Sequence, residues 1–282
     1  MGILMISRII NIKLEYKMEK IYNQIIGFLK NYFKRNNISG AVIGISGGKD
    51  STVVAKLLVD SIGKENVLGV LMPNGEQKDI SDSLEVCKYL DIDYTIIDIS
   101  YSYSRILGSI QSNWDSDIPN IYGGYSKNGR SLKISDKALT NIAPRIRMTT
   151  LYTIAQSLGY LVAGTGNKSE RFIGWFTKWG DGACDINPVA HLTCTEVVKL
   201  GDYLGLPYKL VHKAPADGLT EKSDEENFGF TYQELDNLIE KIEQLNLTGR
   251  LSSPFTGIEE KILEIHDRSV HKSAPITLCK DE

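Results

Sequence analysis

The stretch GAVIGISGGKDSTVVAKLL, residues 40–58, joins an apolar run to a polar turn and then to an amphipathic pattern. Residues 41–45 have the length and composition of a buried strand, and the apolar residues after Ser51 recur at helical spacing. Gly47 and Gly48 stand between the two, where they allow the backbone to bend sharply and to approach a ligand closely. The stretch therefore predicts a strand, a tight turn and a helix.

The same alternation continues along the chain. Short apolar strands separated by helices are typical of parallel strands with crossover helices. We therefore predict an α/β fold, a doubly wound parallel sheet with helices on both faces, of the Rossmann-like kind. The predicted strands are residues 41–45, 67–72, 94–99 and 160–164; the predicted helices are residues 18–35, 50–62, 79–90, 144–158 and 195–204, with two more after residue 230.

Composition is that of a soluble globular protein, with 282 residues of which 42% are hydrophobic and 24% charged. The net charge of -3 provides no basic field, so no nucleic acid is expected as a partner. The four cysteines form no CxxC pair and no metal-ligand spacing. They are typical of reduced thiols, so we expect a cytoplasmic protein.

The first 17 residues form a short apolar stretch that Arg8, Asn11 and Lys13 interrupt. It fits neither a signal peptide nor a membrane span, so no membrane association is expected. An amphipathic pattern begins just after Met18, which could itself be the start of the protein. We treat residues 1–17 as an extension of unknown role and residues 18–282 as one domain.

Two stretches break the alternation. Residues 114–136 are polar and rich in Gly, Asn and Ser, and both a mobile lid and a solvated loop fit them. Residues 165–188 are aromatic and charged at once, which is atypical of disorder and favours a functional loop.

The turn after the first predicted strand has the features of an anion site. Two glycines and the first N–H groups of a helix suit phosphate, and Ser46 and Ser51 offer further donors. Asp50 would repel phosphate unless a cation lay between them, which points to Mg²⁺. The alternative is an Asp that merely stabilises a helix N-terminus, by about 0.3–1 kcal/mol.

The turn resembles the SGGxDS loop of the ATP-pyrophosphatase superfamily, whose members cleave ATP between the α and β phosphates and adenylate a substrate. The resemblance implies that ATP is a co-substrate and that this loop holds its phosphates. The implied ATP-binding residues of the loop are Gly44, Ile45, Ser46, Gly47, Gly48, Lys49, Asp50 and Ser51.

Further blocks of the second half narrow this resemblance to the NAD synthetase family, which converts deamido-NAD to NAD. It implies an adenine nucleotide alpha hydrolase-like fold, Mg²⁺ as cofactor, and a ligase reaction through an acyl-adenylate that releases AMP and pyrophosphate. The blocks, in order, are NIAPRIRMTTLY (141–152), GTGNKSE (164–170), GWFTKWGDGACDINPVAHL (174–192), SDEENFGFTYQELD (223–236) and HKSAPI (271–276).

The same resemblance assigns roles to single residues. Asp50 and Glu170 match the metal ligands at which the reaction occurs, and Thr165 matches an ATP contact. A solvated helical arginine, a structural ion pair and a frayed tail remain as alternatives for the residues matched to the dinucleotide. Those residues are Arg145, Lys178, Asp185, His271 and Lys272.

Three positions depart from the family pattern. Cys194 stands where a lysine usually contacts ATP, Ala216 where Ser or Thr contacts the nucleotide, and Pro144 where a small helical residue is common. The lost lysine would weaken ATP binding unless another cation replaced it. The candidates for that replacement are Lys49, Lys168 and Lys199.

The nitrogen donor is expected to be free ammonia, because no cysteine stands in an amidase-like setting and the chain is too short for an added amidase domain. The family resemblance also implies a homodimer with its dinucleotide site at the interface, and loops 114–136 and 165–188 that order on substrate binding. Two other functions remain open: another adenylating ATP pyrophosphatase, GMP synthetase-like or tRNA-modifying, and a nucleotide-binding protein that has lost turnover.

Overall fold

The computed structural model describes residues 2–77, 80–114, 134–213 and 223–278 and contains a four-stranded parallel sheet. The strand order is β3-β2-β1-β4, and Ala41 of β1 pairs with Val67 of β2 and Leu161 of β4. The predicted parallel α/β sheet is confirmed, with strands one or two residues shorter than predicted. The strands are β1 (Ala41–Gly44), β2 (Val67–Leu71), β3 (Asp93–Ile96) and β4 (Leu161–Ala163).

Twelve α-helices and one 3-10 turn, Lys64–Asn66, are seen in the described part of the chain. The helices are α1 (Gly2–Asn36), α2 (Lys49–Ile62), α3 (Ile80–Leu90), α4 (Ser100–Trp114), α5 (Asp136–Thr140), α6 (Ile142–Leu158), α7 (Lys168–Ile173), α8 (Cys194–Tyr203), α9 (Tyr208–Val211), α10 (Asp224–Phe228), α11 (Tyr232–Thr248) and α12 (Gly257–Ser273).

Helices cover both faces of the sheet because its strands are apolar on both sides. Ala41 and Ile43 of β1 face a large core that α1, α2, α3 and α8 share. Val42, between them, faces the opposite core with residues of α4 and α6. The alternation of successive side chains along a strand thus supplies two cores from one four-residue element.

Helix α1 is longer than the helix predicted for residues 18–35, since it begins at Gly2 and has 35 residues. Residues before Met18 also contact the protein body: Leu14 packs against the large core, and Lys17 pairs with Glu196 at 2.8 Å. Within the described residues, no helix combines the length and apolar character that crossing a bilayer requires.

A third core joins α7, α10, α11 and α12 and includes Phe228, Leu235 and Ile262. Residues 165–188, predicted to be a long loop, contain α7, and Ile186 forms a parallel bridge with Ala163 beside the sheet. The prediction that this stretch lacks regular structure is therefore wrong. Of the other long loop, residues 115–133 lie outside the described residues.

Candidate active site

The turn after β1 is a tight cradle that only glycine fits. Gly47 has a φ of +77°, and a Cβ on it would lie 2.9 Å from both the Cβ of Asp82 and the backbone N of Ser83. The cradle is therefore pressed against the start of α3. Two parallel strands, β1 and β4, end side by side here, as the general rule for ligand sites in open α/β sheets predicts.

The serines of the cradle hold its shape. The Ser46 hydroxyl accepts a hydrogen bond from Gly48 N at 3.2 Å, and Ser51 Oγ accepts from Ser46 N at 3.3 Å and donates to Gly48 O at 3.1 Å. Ile45 N extends the ladder beyond Gly44 by donating to Val70 O at 3.0 Å. Within the described residues no side chain caps α2 at Gly48, so its first N–H groups remain available to an anion.

Asp50 is engaged on both carboxylate oxygens. Lys49 Nζ lies 2.9 Å from Oδ2, and Asn167 Nδ2 donates to Oδ1 at 3.0 Å. Asn167 belongs to the loop after β4, so this contact joins the two strand ends that form the site. Residues 117 apart in sequence are thereby brought into one constellation.

Glu170 is oriented by a capping box at the start of α7. Its carboxylate accepts a hydrogen bond from Asn167 N at 3.1 Å, while its own N–H donates to Asn167 Oδ1 at 3.0 Å. Burial and the neighbouring Asp50 charge raise the pKa of Glu170 well above its ordinary value. Two carboxylates that repel each other in this way are suited to a shared cation.

The donor set fits Mg²⁺ rather than an all-protein metal cage. In the described residues no group of three or more His, Cys, Asp or Glu side chains converges to hold a metal. Mg²⁺ commonly takes only one or two carboxylates and completes its shell with waters and substrate phosphates. Asp50 and Glu170, beside a phosphate cradle, meet that requirement.

Three lysines were candidates to replace the one that the family usually has at position 194. Of these, Lys49 is the one that lies at this site. Its side chain is only 6% exposed, and its ammonium lies 5.5 Å from the centre of the Tyr232 ring. Lys168 pairs instead with Glu243 at 2.6 Å, and Lys199 is exposed. Cys194 is buried in the third core. Burial raises the pKa of its thiol above the ordinary value, although the nearby Lys49 charge acts in the opposite direction.

Four of the five residues matched to the dinucleotide form a second group. Arg145 Nη2 donates to Lys178 O at 3.4 Å, and Lys178 Nζ donates to His271 O at 2.7 Å. Lys272 Nζ donates to Gly174 O at 2.6 Å and to Phe176 O at 2.8 Å. The alternative of a frayed tail does not describe His271 and Lys272, which lie in α12, whereas Arg145 is exposed on α6 as the alternative of a solvated helical arginine predicts.

Asp185 lies beside β4, and its carboxylate forms its hydrogen bonds with residues outside the second group. One oxygen accepts from Val162 N at 2.8 Å and the other from Tyr152 OH at 3.2 Å. Burial and the Asp185 carboxylate raise the pKa of Tyr152 to about 12, so the phenol remains a donor at neutral pH. Thr165 lies two residues after the end of β4 and is partly exposed at the same strand end as the cradle.

Two features of the site were not predicted from the sequence. Asn167 orients both carboxylates, and its signal was available: Asn at 167 with Glu three residues later is the spacing of a capping box. Tyr232 had no local signal in the sequence. Its ring lies beside the Lys49 ammonium, and its hydroxyl donates to Asp224 at 3.0 Å.

Two of the positions that depart from the family pattern remain. Pro144 lies in the first turn of α6, where proline is tolerated. Ala216 lies outside the described residues.

We expect Gly47→Ala to weaken nucleotide binding by about tenfold or more, because the new methyl group would displace α3 from the cradle. Gly159→Ala is the matched control, since Gly159 also has a positive φ of +66° but no atom within 4 Å of its Cβ position. Both variants should lose about 1–2 kcal/mol of unfolding free energy from the backbone conformation. Calorimetric titration with ATP measures the difference, and equal ATP affinity in the two variants would contradict this description of the cradle.

Comparison with known proteins identifies the family. The sequence model of NAD synthase matches residues 21–275. An NH3-dependent NAD+ synthetase of Thermococcus sibiricus is 36% identical over 259 residues, which are 90% of this chain and 94% of that protein.

Two solved structures agree with this match. An NMN synthetase from Francisella tularensis is 30% identical and superimposes with a TM-score of 0.77, covering 94% of this chain and 99% of the other. An NH3-dependent NAD synthetase from Campylobacter jejuni, solved with a nitrate ion, is 26% identical with a TM-score of 0.72, covering 93% and 99%. The chain, with its glycine cradle and paired carboxylates, belongs to the NAD synthase family.

Proposed function

We propose that this protein converts deamido-NAD to NAD with ammonia, consuming ATP and releasing AMP and pyrophosphate. The observation that carries the proposal is the junction of Asp50, Asn167 and Glu170, which places two carboxylates beside a phosphate cradle in a chain of this family. A carboxylate is a poor electrophile, so its oxygen first attacks the ATP α-phosphate, which breaks the bond to the β-phosphate, releases pyrophosphate and forms an acyl-adenylate that ammonia can attack. The new bond is carbon–nitrogen, and AMP leaves.

The cradle stabilises the charge that develops on the leaving pyrophosphate. The uncapped start of α2 presents N–H groups and the positive end of its dipole, already oriented by the bonds of Ser46 and Ser51. Donors that are fixed before the reaction need no reorganisation in the transition state. Lys49 adds a full positive charge at the same loop.

Asp50 and Glu170 would hold Mg²⁺. When bound there, the ion would neutralise phosphate oxygens and favour departure of pyrophosphate. Asn167 serves this pair by fixing the Asp50 carboxylate with its side-chain amide and the Glu170 carboxylate with its backbone N–H. It is a positioning residue, since it acts through the two carboxylates.

The second group is proposed to bind the deamido-NAD. Among the residues that the structure describes, the side chains of Arg145 and Lys178 each donate one hydrogen bond, which leaves further donors for a carboxylate or phosphate. Helix α7 runs from the cradle to this group: Glu170 lies in its first turn, and Lys272 fixes Gly174 at its end. Six residues of helix span about 9 Å, a separation that a dinucleotide can bridge.

A groove at the carboxyl end of β2 offers room for the adenosine of ATP. It has a volume of about 470 Å³ and is lined by Pro73, Gly75, Glu76, Gln77 and Ile80. Volumes of this size are typical of small-molecule sites.

Because the reaction consumes ATP, we also expect it to take place in the cytoplasm.

The proposal is tested by measuring pyrophosphate and NAD together, with ATP, Mg²⁺ and ammonium present and deamido-NAD present or absent. We expect equal amounts of both products, both dependent on deamido-NAD, and no NAD when glutamine replaces ammonium. Glu170→Gln should lower kcat by about a hundredfold or more, because it removes a charged ligand of the Mg²⁺ that would neutralise the reacting phosphates. Glu264→Gln, an exposed carboxylate paired with Arg268, is the matched control and should leave kcat unchanged.

A second candidate substrate is the corresponding mononucleotide acid, because one structural relative is an NMN synthetase with a TM-score of 0.77. The same assay with deamido-NMN in place of deamido-NAD separates the two. A higher kcat/KM for the mononucleotide would overturn the dinucleotide as the preferred substrate. Pyrophosphate release with neither acid present would overturn both.

We further propose that the protein acts as a homodimer. Helix α6, which carries Arg145, packs one side on the sheet, yet Leu158 at its end is 49% exposed and Ile106 of the neighbouring α4 is 42% exposed. Leu151 and Ile154 of α6 are only partly buried where they pack against the core that contains Val42. A partner packed on this surface would cover apolar area and lie beside the dinucleotide group.

Sedimentation velocity tests the dimer directly. We expect a species of twice the 31.4 kDa chain mass, and Leu158→Glu should shift the population toward the monomer by placing a charge in the interface. The control Leu247→Glu alters a residue that is 86% exposed on α11 and should leave the dimer intact. A single 31.4 kDa species in the wild-type protein, with substrates present, would contradict the proposal.

A further inference from the structure

Both oxygens of the Asp50 carboxylate are engaged by donors of the chain. Lys49 Nζ lies 2.9 Å from Oδ2 and Asn167 Nδ2 lies 3.0 Å from Oδ1, so donors of the chain itself occupy both oxygens. The side chains of Lys49 and Asp50 are only 6% and 17% exposed, so water screens their attraction poorly. Each oxygen keeps a further lone pair, but a divalent cation that binds the carboxylate would lie beside the Lys49 ammonium and would be repelled by it.

Lys49 is the donor that a cation would displace. A divalent ion and an ammonium group repel each other at one carboxylate, whereas the amide of Asn167 is uncharged. Asn167 is also tied by its capping box to Glu170, so moving it would disturb the second carboxylate. Lysine, with a flexible four-carbon stem and a point charge, can turn without moving the backbone.

The ammonium has an alternative position within reach. The Lys49 ammonium lies 5.5 Å from the centre of the Tyr232 ring, and within the described residues Asp50 is its one hydrogen-bond acceptor, although an ammonium has three donors. The neighbouring backbone is the cradle, at which the phosphates of ATP would lie. Phosphate oxygens would satisfy donors that the nucleotide-free protein leaves without an acceptor.

We propose that Lys49 is an exchangeable cation: it neutralises Asp50 in the empty site, and it moves to the phosphates when Mg²⁺ and ATP bind together. This inference rests on the proposed binding of Mg²⁺ and ATP. In both states the Lys49 ammonium and the Asp50 carboxylate each have a partner of opposite charge, which avoids the large cost of an unpaired buried charge. The ion without nucleotide would find Asp50 occupied and would leave Lys49 with no partner, so metal and nucleotide should bind cooperatively.

The test measures binding of Mn²⁺ by electron paramagnetic resonance, with and without α,β-methylene-ATP, and requires no turnover. Without nucleotide, Lys49→Met should bind Mn²⁺ at least about tenfold more tightly than the wild type, because the competing charge is gone. In the presence of Mn²⁺, the same variant should bind the analogue at least about tenfold more weakly, because a phosphate partner is gone. Opposite shifts in one variant distinguish exchange from general damage to the site.

Lys168→Met is the matched control, since Lys168 is a nearby cation paired with Glu243 and should leave both affinities unchanged. Lys49→Gln is a second neutral variant, in case Met at this position impairs folding, which circular dichroism would reveal. Mn²⁺ affinity that is unchanged in both neutral variants, or two affinities that fall together, would overturn the exchange. If the wild type forms no NAD, but Lys49→Met binds Mn²⁺ more tightly and the ATP analogue more weakly than the wild type, the exchange is supported and the proposed reaction is overturned.

Discussion

The hydrogen bond from Asn167 to Asp50 is the contact on which the site depends. It joins the turn after β1 to the turn after β4, two strands that are neighbours in the sheet although far apart in sequence. Through the capping box, the same asparagine also holds Glu170. One uncharged side chain thus keeps two mutually repelling carboxylates beside the phosphate cradle.

Helix α7 extends this arrangement to the second group of polar residues. Its start carries Glu170, and its end is held by Lys272, which donates to two carbonyl groups of the following turn. A Cβ on Gly174 would collide with Ser269, so the glycine lets α12 approach closely. The distance between the carboxylates and the basic group is therefore set by a short rigid helix, as a reaction between two separately bound substrates requires.

Much of this could be predicted from the sequence because its signals are local. The apolar runs that form β1 and β2 predict the parallel sheet. The glycine turn after residue 45 predicts an anion site. Helix α7 was missed because its six residues are too few for a periodic pattern. The position of the Tyr232 ring beside the Lys49 ammonium depends on the packing of α11 against α7 and α8, which no local pattern encodes. The extent of α1 was underestimated because its first residues lack the clear apolar stripe that begins at Met18.

The most direct test of the account is a crystal structure with Mn²⁺ and α,β-methylene-ATP, in which anomalous scattering locates the metal. The account predicts one Mn²⁺ bound to the carboxylates of Asp50 and Glu170, with the phosphates against the Gly47–Gly48 turn. A metal peak away from both carboxylates, or phosphates outside that turn, would contradict it.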